Sequence, residues 1–470
     1  MKELSLEGRK ALYNNFGKSI IEFHSLLPIY LVASDQTEDQ INKVILRCGY
    51  TILYSIVDIS SLLRAEMRET VNIGKRLGLI KLRIAVSEVF KAIVGAVPDD
   101  KEALYRQIRS SISSDFADEC LAIDKAIDDF KLNYWSQSDQ NARNIAEHFS
   151  KNPYEYYELI VSANEETEIN RVNAILAMIQ PLFVIISKIE NKEKLLEKIE
   201  ISEILHYSSS FAAIPEKIEV DSRYSKLGDF MNNEAKSLDS FAYNFNLPNI
   251  IEKKLGSFKI NETMQYMLQF LELMMHLEFI SLETAYSYRA ICSSEFPIEQ
   301  RLNLRLMYKT NHEGFKKLYG FKDDKSETIW CSKIESQIKD YSDVVRAEYE
   351  SIKFSMKFLA KQTGINDEHL VVVLTHLRKN KNKDYIPKAL IELGNLNIRE
   401  IMVISMLFLN TLKKIIHLGQ TILPEIKCKD EEESCRKIDE LLKPMNGLVD
   451  NSLVDKIKNS IIRDCFCPEK

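Results

Sequence analysis

Arg143-Asn144-Ile145-Ala146-Glu147-His148 places a guanidinium, a carboxamide and an imidazole within six residues. A guanidinium stays charged at physiological pH and forks onto phosphate oxygens, so it can stabilise negative charge growing in a transition state. A neutral imidazole, with a pKa of about 6.5, can accept a proton from a ribose 2′-hydroxyl. His148 follows Asn144 by four residues, so on a helix the two share a face, and the amide can fix the imidazole tautomer or bond a phosphate oxygen. Arg143 lies one step off that face, with a side chain long enough to swing across. Together these groups suit attack of a 2′-oxygen on its own phosphorus, leaving a cyclic phosphate without metal or other cofactor. The competing reading is an exposed helical face: with 8 histidines in the chain, an arginine separated from a following histidine by four to six residues arises about once by accident.

The elements that must position this segment are helical. Across 470 residues glycine (14) and proline (11) are scarce, and apolar residues recur at i, i+3, i+4, i+7 almost everywhere, with no convincing alternating run. Thr37-Glu38-Asp39-Gln40 reads as a capping box opening a helix through Leu62-Leu63, and Pro98-Asp99-Asp100 as another helix start. Further helices are expected over 78–94, 139–161, 168–189 and 192–205, with a connector from about Tyr207. The longest apolar runs, Ile401–Leu409 and Pro181–Ile186, fall short of the roughly 20 residues that cross a bilayer, so no membrane association is expected. Met1–Lys18 carries no apolar signal core. Isolated cysteines on helices suit a reducing cytoplasm. The net charge of −6 gives no global pull toward nucleic acid, so a polyanion would need a local basic patch.

The second half restarts the first. Arg64-Ala65 returns as Arg289-Ala290, Arg76-Leu77 as Arg301-Leu302, Glu88 and Phe90 as Glu313 and Phe315, and Gly95 as Gly320, all at one offset (289 − 64, 301 − 76 and 320 − 95 each give 225). Drifting by three residues, His148 falls on His376. Such a long period indicates two helical halves related by a pseudo-twofold, the fused counterpart of a symmetric dimer. The expected layout is a helical domain over 1–206, a connector over 207–260, a second helical domain over 261–425 and a helical tail over 426–470. Arg64 and Arg289, each beside alanine, read as a shared helix contact rather than chemistry.

Arg143-Asn144-x-x-x-His148, followed by Asn152-Pro153-Tyr154 on a helical background, resembles the HEPN (higher eukaryotes and prokaryotes nucleotide-binding) family over about residues 100–190. The resemblance implies all-α bundles and a metal-independent endoribonuclease of the toxin or antiphage-defence kind, with sites composed from two domains. It also implies RNA as the partner, either alone or with a homodimeric copy and a regulatory or antitoxin protein. The second copy departs from the pattern, because Val371 stands where the arginine belongs and only His376 is retained. Either the fused site is asymmetric, built from Arg143, His148 and His376, or the second half is scaffold and the chain must homodimerise. Arg378, Lys379, Lys381 and Lys383 follow His376 and could hold RNA phosphates, while a solvated loop explains them equally well. Tyr154, Tyr156 and Tyr157 could stack on bases, with core packing expected for at least two of them. The alternative function is a non-catalytic helical scaffold binding a partner protein or a nucleotide. Cys428, Cys435, Cys465 and Cys467 lack zinc-knuckle spacing, so no metal site is expected there.

Overall fold

A computed structural model describes residues 6–95, 103–136, 142, 145–146, 152–196, 199, 204, 222–255, 262–320, 343–362, 364–365, 370–371, 373, 378–380, 383–384 and 386–428. The described chain is all-helical apart from a two-stranded antiparallel pairing of β1 (Arg378–Asn380) with β2 (Lys383–Asp384). In chain order the helices are α1 (Leu6–Gln36), α2 (Gln40–Arg68), α3 (Asn72–Ile93), α4 (Leu104–Ile112), α5 (Ala117–Tyr134), α6 (Pro153–Ser162) and α7 (Glu165–Glu193). They continue as α8 (Ser222–Leu255), α9 (Glu262–Ser293), α10 (Pro297–Leu318), α11 (Asp343–Leu359), α12 (Ile386–Asn395) and α13 (Ile398–Cys428).

Local chemistry sets several of these ends. The Asp39 carboxylate accepts from the Asn42 amide at 2.7 Å and opens α2, two residues beyond the expected cap at Thr37. Thr37 instead closes α1, its amide bonding the Ala33 carbonyl at 3.1 Å. Asn152 and Asn164 cap α6 and α7. Asn152-Pro153 starts a fresh helix where one continuous helix over 139–161 was expected, because the Asn152 side chain holds the Tyr154 amide and Pro153 takes the first turn. Lys194 adopts a left-handed conformation (φ 55°) that ends α7, so no helix begins at Lys192. Much of the expected 207–260 connector is helical, since α8 runs from Ser222 to Leu255. The expected start at Pro98-Asp99-Asp100 lies outside the described residues.

The chain forms two compact units, both discontinuous in sequence. The first comprises Met1–Asn233, Leu282–Glu313 and Thr363–Ser405, and the second Glu234–Ser281, Gly314–Gln362 and Met406–Lys470. In the first unit α1 packs along α2, α2 against α3, and α7 against α2, α3 and α5. From Cys48 to Glu66 every residue of α2 is buried, so this helix is wrapped on all sides. In the second unit Phe315 meets Phe408 with ring centroids 6.1 Å apart, and Gly314 leaves room for Ile280.

Three described helices are long and apolar enough, by length and composition, to cross a membrane: Gln40–Arg68, Glu165–Glu193 and Ile398–Gly419, with 89%, 39% and 61% of their most apolar windows buried inside the protein. These lengths exceed the uninterrupted apolar runs from which no membrane association was expected. Ser, Thr, Asn and Gln break such a run without adding charge, so run length underestimates the span.

Candidate functional site

The hexapeptide is described at two positions, Ile145 and Ala146, and Ala142 just before it is described too. Ala142 and Ala146 are fully buried and Ile145 is half-buried. Arg143, Asn144 and His148 lie outside the described residues, as do His376 and Lys381. Arg378, Lys379 and Lys383 belong to the two-stranded pairing, and their side chains lie outside the description. Tyr154 is half-buried, its ring 5.7 Å from that of Tyr157. Tyr156 is buried and its hydroxyl donates to the Glu283 carboxylate, so that ring serves packing. The catalytic residues expected from the sequence thus all lie outside the described residues.

The described chain does assemble a layer of buried charge inside the first unit. Arg64, near the end of α2, donates Nε to Glu299 Oε1 at 2.6 Å and Nη1 to the Tyr13 carbonyl at 2.8 Å; Nη2 reaches Glu295. Its guanidinium lies 3.8 Å from the centroid of the Tyr13 ring. Near the end of α9, Arg289 mirrors this. It donates Nε and Nη2 to Glu69 at 3.0 and 2.7 Å and Nη1 to the Tyr224 carbonyl at 2.6 Å, and lies 3.9 Å from the Tyr224 ring centroid. Both carboxylates have a second task. Glu69 accepts from the Thr70 and Val71 amides at 2.8 and 2.9 Å, ahead of α3. Glu299 accepts from the Glu295 and Phe296 amides at 2.8 and 3.2 Å, ahead of α10. Each thus satisfies orphan donors at a helix start and anchors an arginine from another helix. Gly17 and Gly228 make room for the two guanidiniums: a Cβ would lie 2.6 Å from Arg64 Nη1 and 2.9 Å from Arg289 Nη1.

Deeper pairs repeat the crossing. Asp58 of α2 holds Arg305 of α10 at 2.7 Å, with Tyr54 accepting from the same guanidinium at 2.8 Å. Glu283 of α9 holds Lys81 of α3 at 2.8 Å and accepts from Thr310 at 2.8 Å. Glu168 takes both Arg83 and Arg171. Burial pushes the Tyr54 hydroxyl up to about 12 despite Arg305 beside it. Burial likewise dominates at Tyr13 and Tyr224, raising both.

Glu66 is the exception to this pairing. Its Oε2 has no hydrogen-bond partner, Arg9 approaches Oε1 only to 4.0 Å, and the buried hydroxyl of Tyr286 also lacks a partner. Burial, helped by the charge of Glu165, pushes the Glu66 carboxyl up to about 7. It is a titratable group poised near neutrality beside Gly78, which leaves space for the Tyr286 hydroxyl.

Sequence reasoning found Arg64 and Arg289 but not their acids. The available signal was a charge inside an apolar helical run, as with Asp58 in Ile56-Val57-Asp58-Ile59. Glu69 and Glu299 carried no such mark, since acids are ordinary around helix starts. Among the described residues no group of three or more His, Cys, Asp or Glu is placed to hold a metal. The described cysteines Cys48, Cys120 and Cys292 form no disulfide. No protein-family model, curated protein or solved structure matches this chain.

Proposed function

We propose that the chain is an internally duplicated helical protein of HEPN type that cleaves RNA in the cytoplasm without a metal ion. The observation that carries the duplication is the reciprocal Arg64–Glu299 and Arg289–Glu69 arrangement, each arginine crossing to the start of the other helix pair. Element bounds support it: α3 and α10 differ by 225 at both ends, and α6 and α12 by 233 at both ends. Gly95 and Gly320, also 225 apart, both take positive φ after their helices. Gly74 stands where Glu299 stands in the second copy, and its missing side chain is the space that Glu69 enters, 2.7 Å from a Cβ placed there. A fused pseudo-dimer supplies the paired scaffold that a composite Arg–His site requires.

In this reading His148 is the general base or acid, Arg143 clamps the phosphate and Asn144 orients the imidazole, with His376 contributed by the second half. Arg378, Lys379, Lys381, Lys383 and Tyr154 hold the strand. The buried Ala142 and Ala146, four residues apart, support a segment anchored by one helical face. The test is incubation of the whole chain with structured RNA in EDTA. The expected products carry 2′,3′-cyclic phosphate ends and vanish with Arg143→Ala or His148→Ala; cleavage indifferent to both changes sinks the assignment.

One observation favours a second reading, a non-catalytic scaffold for a partner protein or nucleotide. Val371, at the position of the missing second arginine, is buried, so that half packs an apolar side chain where the motif needs a cation. Full-length protein that binds RNA or a partner but cleaves no RNA under any metal condition selects this alternative.

A further inference from the structure

In the second unit, the last three turns of α11 expose two large rings. Phe354 retains 75% of its accessible surface and Phe358 retains 50%. The opposite face of the same helix is firmly seated, with Tyr349, Ile352, Met356 and Leu359 buried. The exposed rings are therefore not the edge of a loosely packed helix. Lys353 and Lys357 immediately precede the two rings, Lys361 follows Phe358 by three residues, and no acid occurs from Ser351 to Lys361. Lys357 and Lys361 are exposed and Lys353 is half-buried. Glu350 marks where the acid-free stretch begins.

Four residues of helix advance about 6 Å along the axis. Lys353 and Lys357 thus stand an approximately 6 Å step apart along α11, and Phe354 and Phe358 stand beside them with the same step, while Lys361 lies in the turn just beyond the end of the helix. A protein partner would be served by the rings alone, and scattered charge would suit many ligands. A cation row beside a ring row matches one ligand chemistry best: a flexible polyanion whose charges and flat apolar faces alternate along its length. We propose that this face of α11 binds single-stranded RNA, the lysines tracking phosphates and the two phenylalanines stacking on unpaired bases.

This rests on RNA as the ligand of the chain, but not on Arg143 or His148 as its chemistry. The experiment measures binding of the full chain to a labelled mixed-sequence single-stranded RNA across a salt series in EDTA. His148→Ala serves as background, so that the RNA stays intact. Phe354→Ala with Phe358→Ala is expected to weaken binding by at least fivefold per ring. Lys357→Glu with Lys361→Glu is expected to weaken it at low salt and to flatten the salt dependence. Phe354→Trp is expected to keep or tighten binding, and all three variants to unfold at the wild-type urea concentration because the altered side chains face water. Unchanged affinity in both multiple variants overturns the proposal. So does loss of binding to vesicles containing phosphatidylserine while RNA affinity stays constant, which would assign the face to an anionic lipid surface. Intact, α11-dependent RNA binding by a protein that never cleaves RNA would refute the nuclease reading and leave this inference standing.

Discussion

Removing the Arg289 side chain strands a buried carboxylate, and the size of that penalty tests whether the charged layer holds the first unit together. Arg289→Ala deletes two bonds to Glu69, at 3.0 and 2.7 Å, one to Thr70 Oγ1 at 3.1 Å and one to the Tyr224 carbonyl at 2.6 Å. Breaking a buried pair from one side costs about 3–5 kcal/mol. The two backbone amides that remain on Glu69 favour the lower end, about 3 kcal/mol. Trp135, 4.7 Å from the Phe90 ring, reports on this unit, and with Trp330→Phe it becomes the sole tryptophan. Urea unfolding followed by its fluorescence should show the full loss in Arg289→Ala. Glu69→Gln combined with Arg289→Met should recover half or more, because no uncompensated charge is left. A loss below about 1 kcal/mol in the single variant would equate the contact with a surface bridge and refute the argument.

Glu66 sets a pH dependence. Its folded pKa, about 7, lies above the ordinary carboxyl value of 4.5, so its unfavourable contribution is absent below 4.5 and grows as pH rises toward 7. Glu66→Gln should therefore gain up to about 3 kcal/mol at pH 8 and little at pH 4, read by urea unfolding at the two pH values. Gly17→Ala and Gly228→Ala each push a methyl group against a guanidinium fixed by several bonds, and each should lower stability by about 1–3 kcal/mol. If either is neutral, its arginine has room to shift. Asn164→Ala removes the acceptor for the Thr167 amide at the start of α7 and should cost about 1 kcal/mol.

Periodicity revealed the helices because an apolar stripe is a local property of the chain. It placed both ends of α7 within four residues and the end of α3 within one, but began α3 six residues late. Caps were less legible, since Thr37 and Asp39 are both competent acceptors and only the backbone decides which is used. Tyr207–Gly228 reads as a connector from its serines and mixed charge, yet Tyr224 and Gly228 are specified by Arg289, a partner 65 and 61 residues away that local reasoning cannot see (289 − 224 and 289 − 228). The recurrence of Arg64 as Arg289 is visible in the sequence, but its meaning requires knowing that each guanidinium crosses to a carboxylate at the start of a different helix. The chemistry of the Arg143–His148 segment is a sequence argument, since Ile145 and Ala146 are its described residues.

The discontinuity of the first unit has a consequence for how the protein is made. Asp58, Glu69 and Arg64 emerge from the ribosome more than 200 residues before Arg305, Arg289 and Glu299, the groups that neutralise them. A nascent chain of the first 233 residues therefore holds Asp58, Arg64 and Glu69 without the counter-ions they have in the finished unit, and burying them in that state is opposed by desolvation. Vectorial synthesis cannot finish this unit early. Its closure waits for α9 and α10, which couples the fate of the first half to translation of the second.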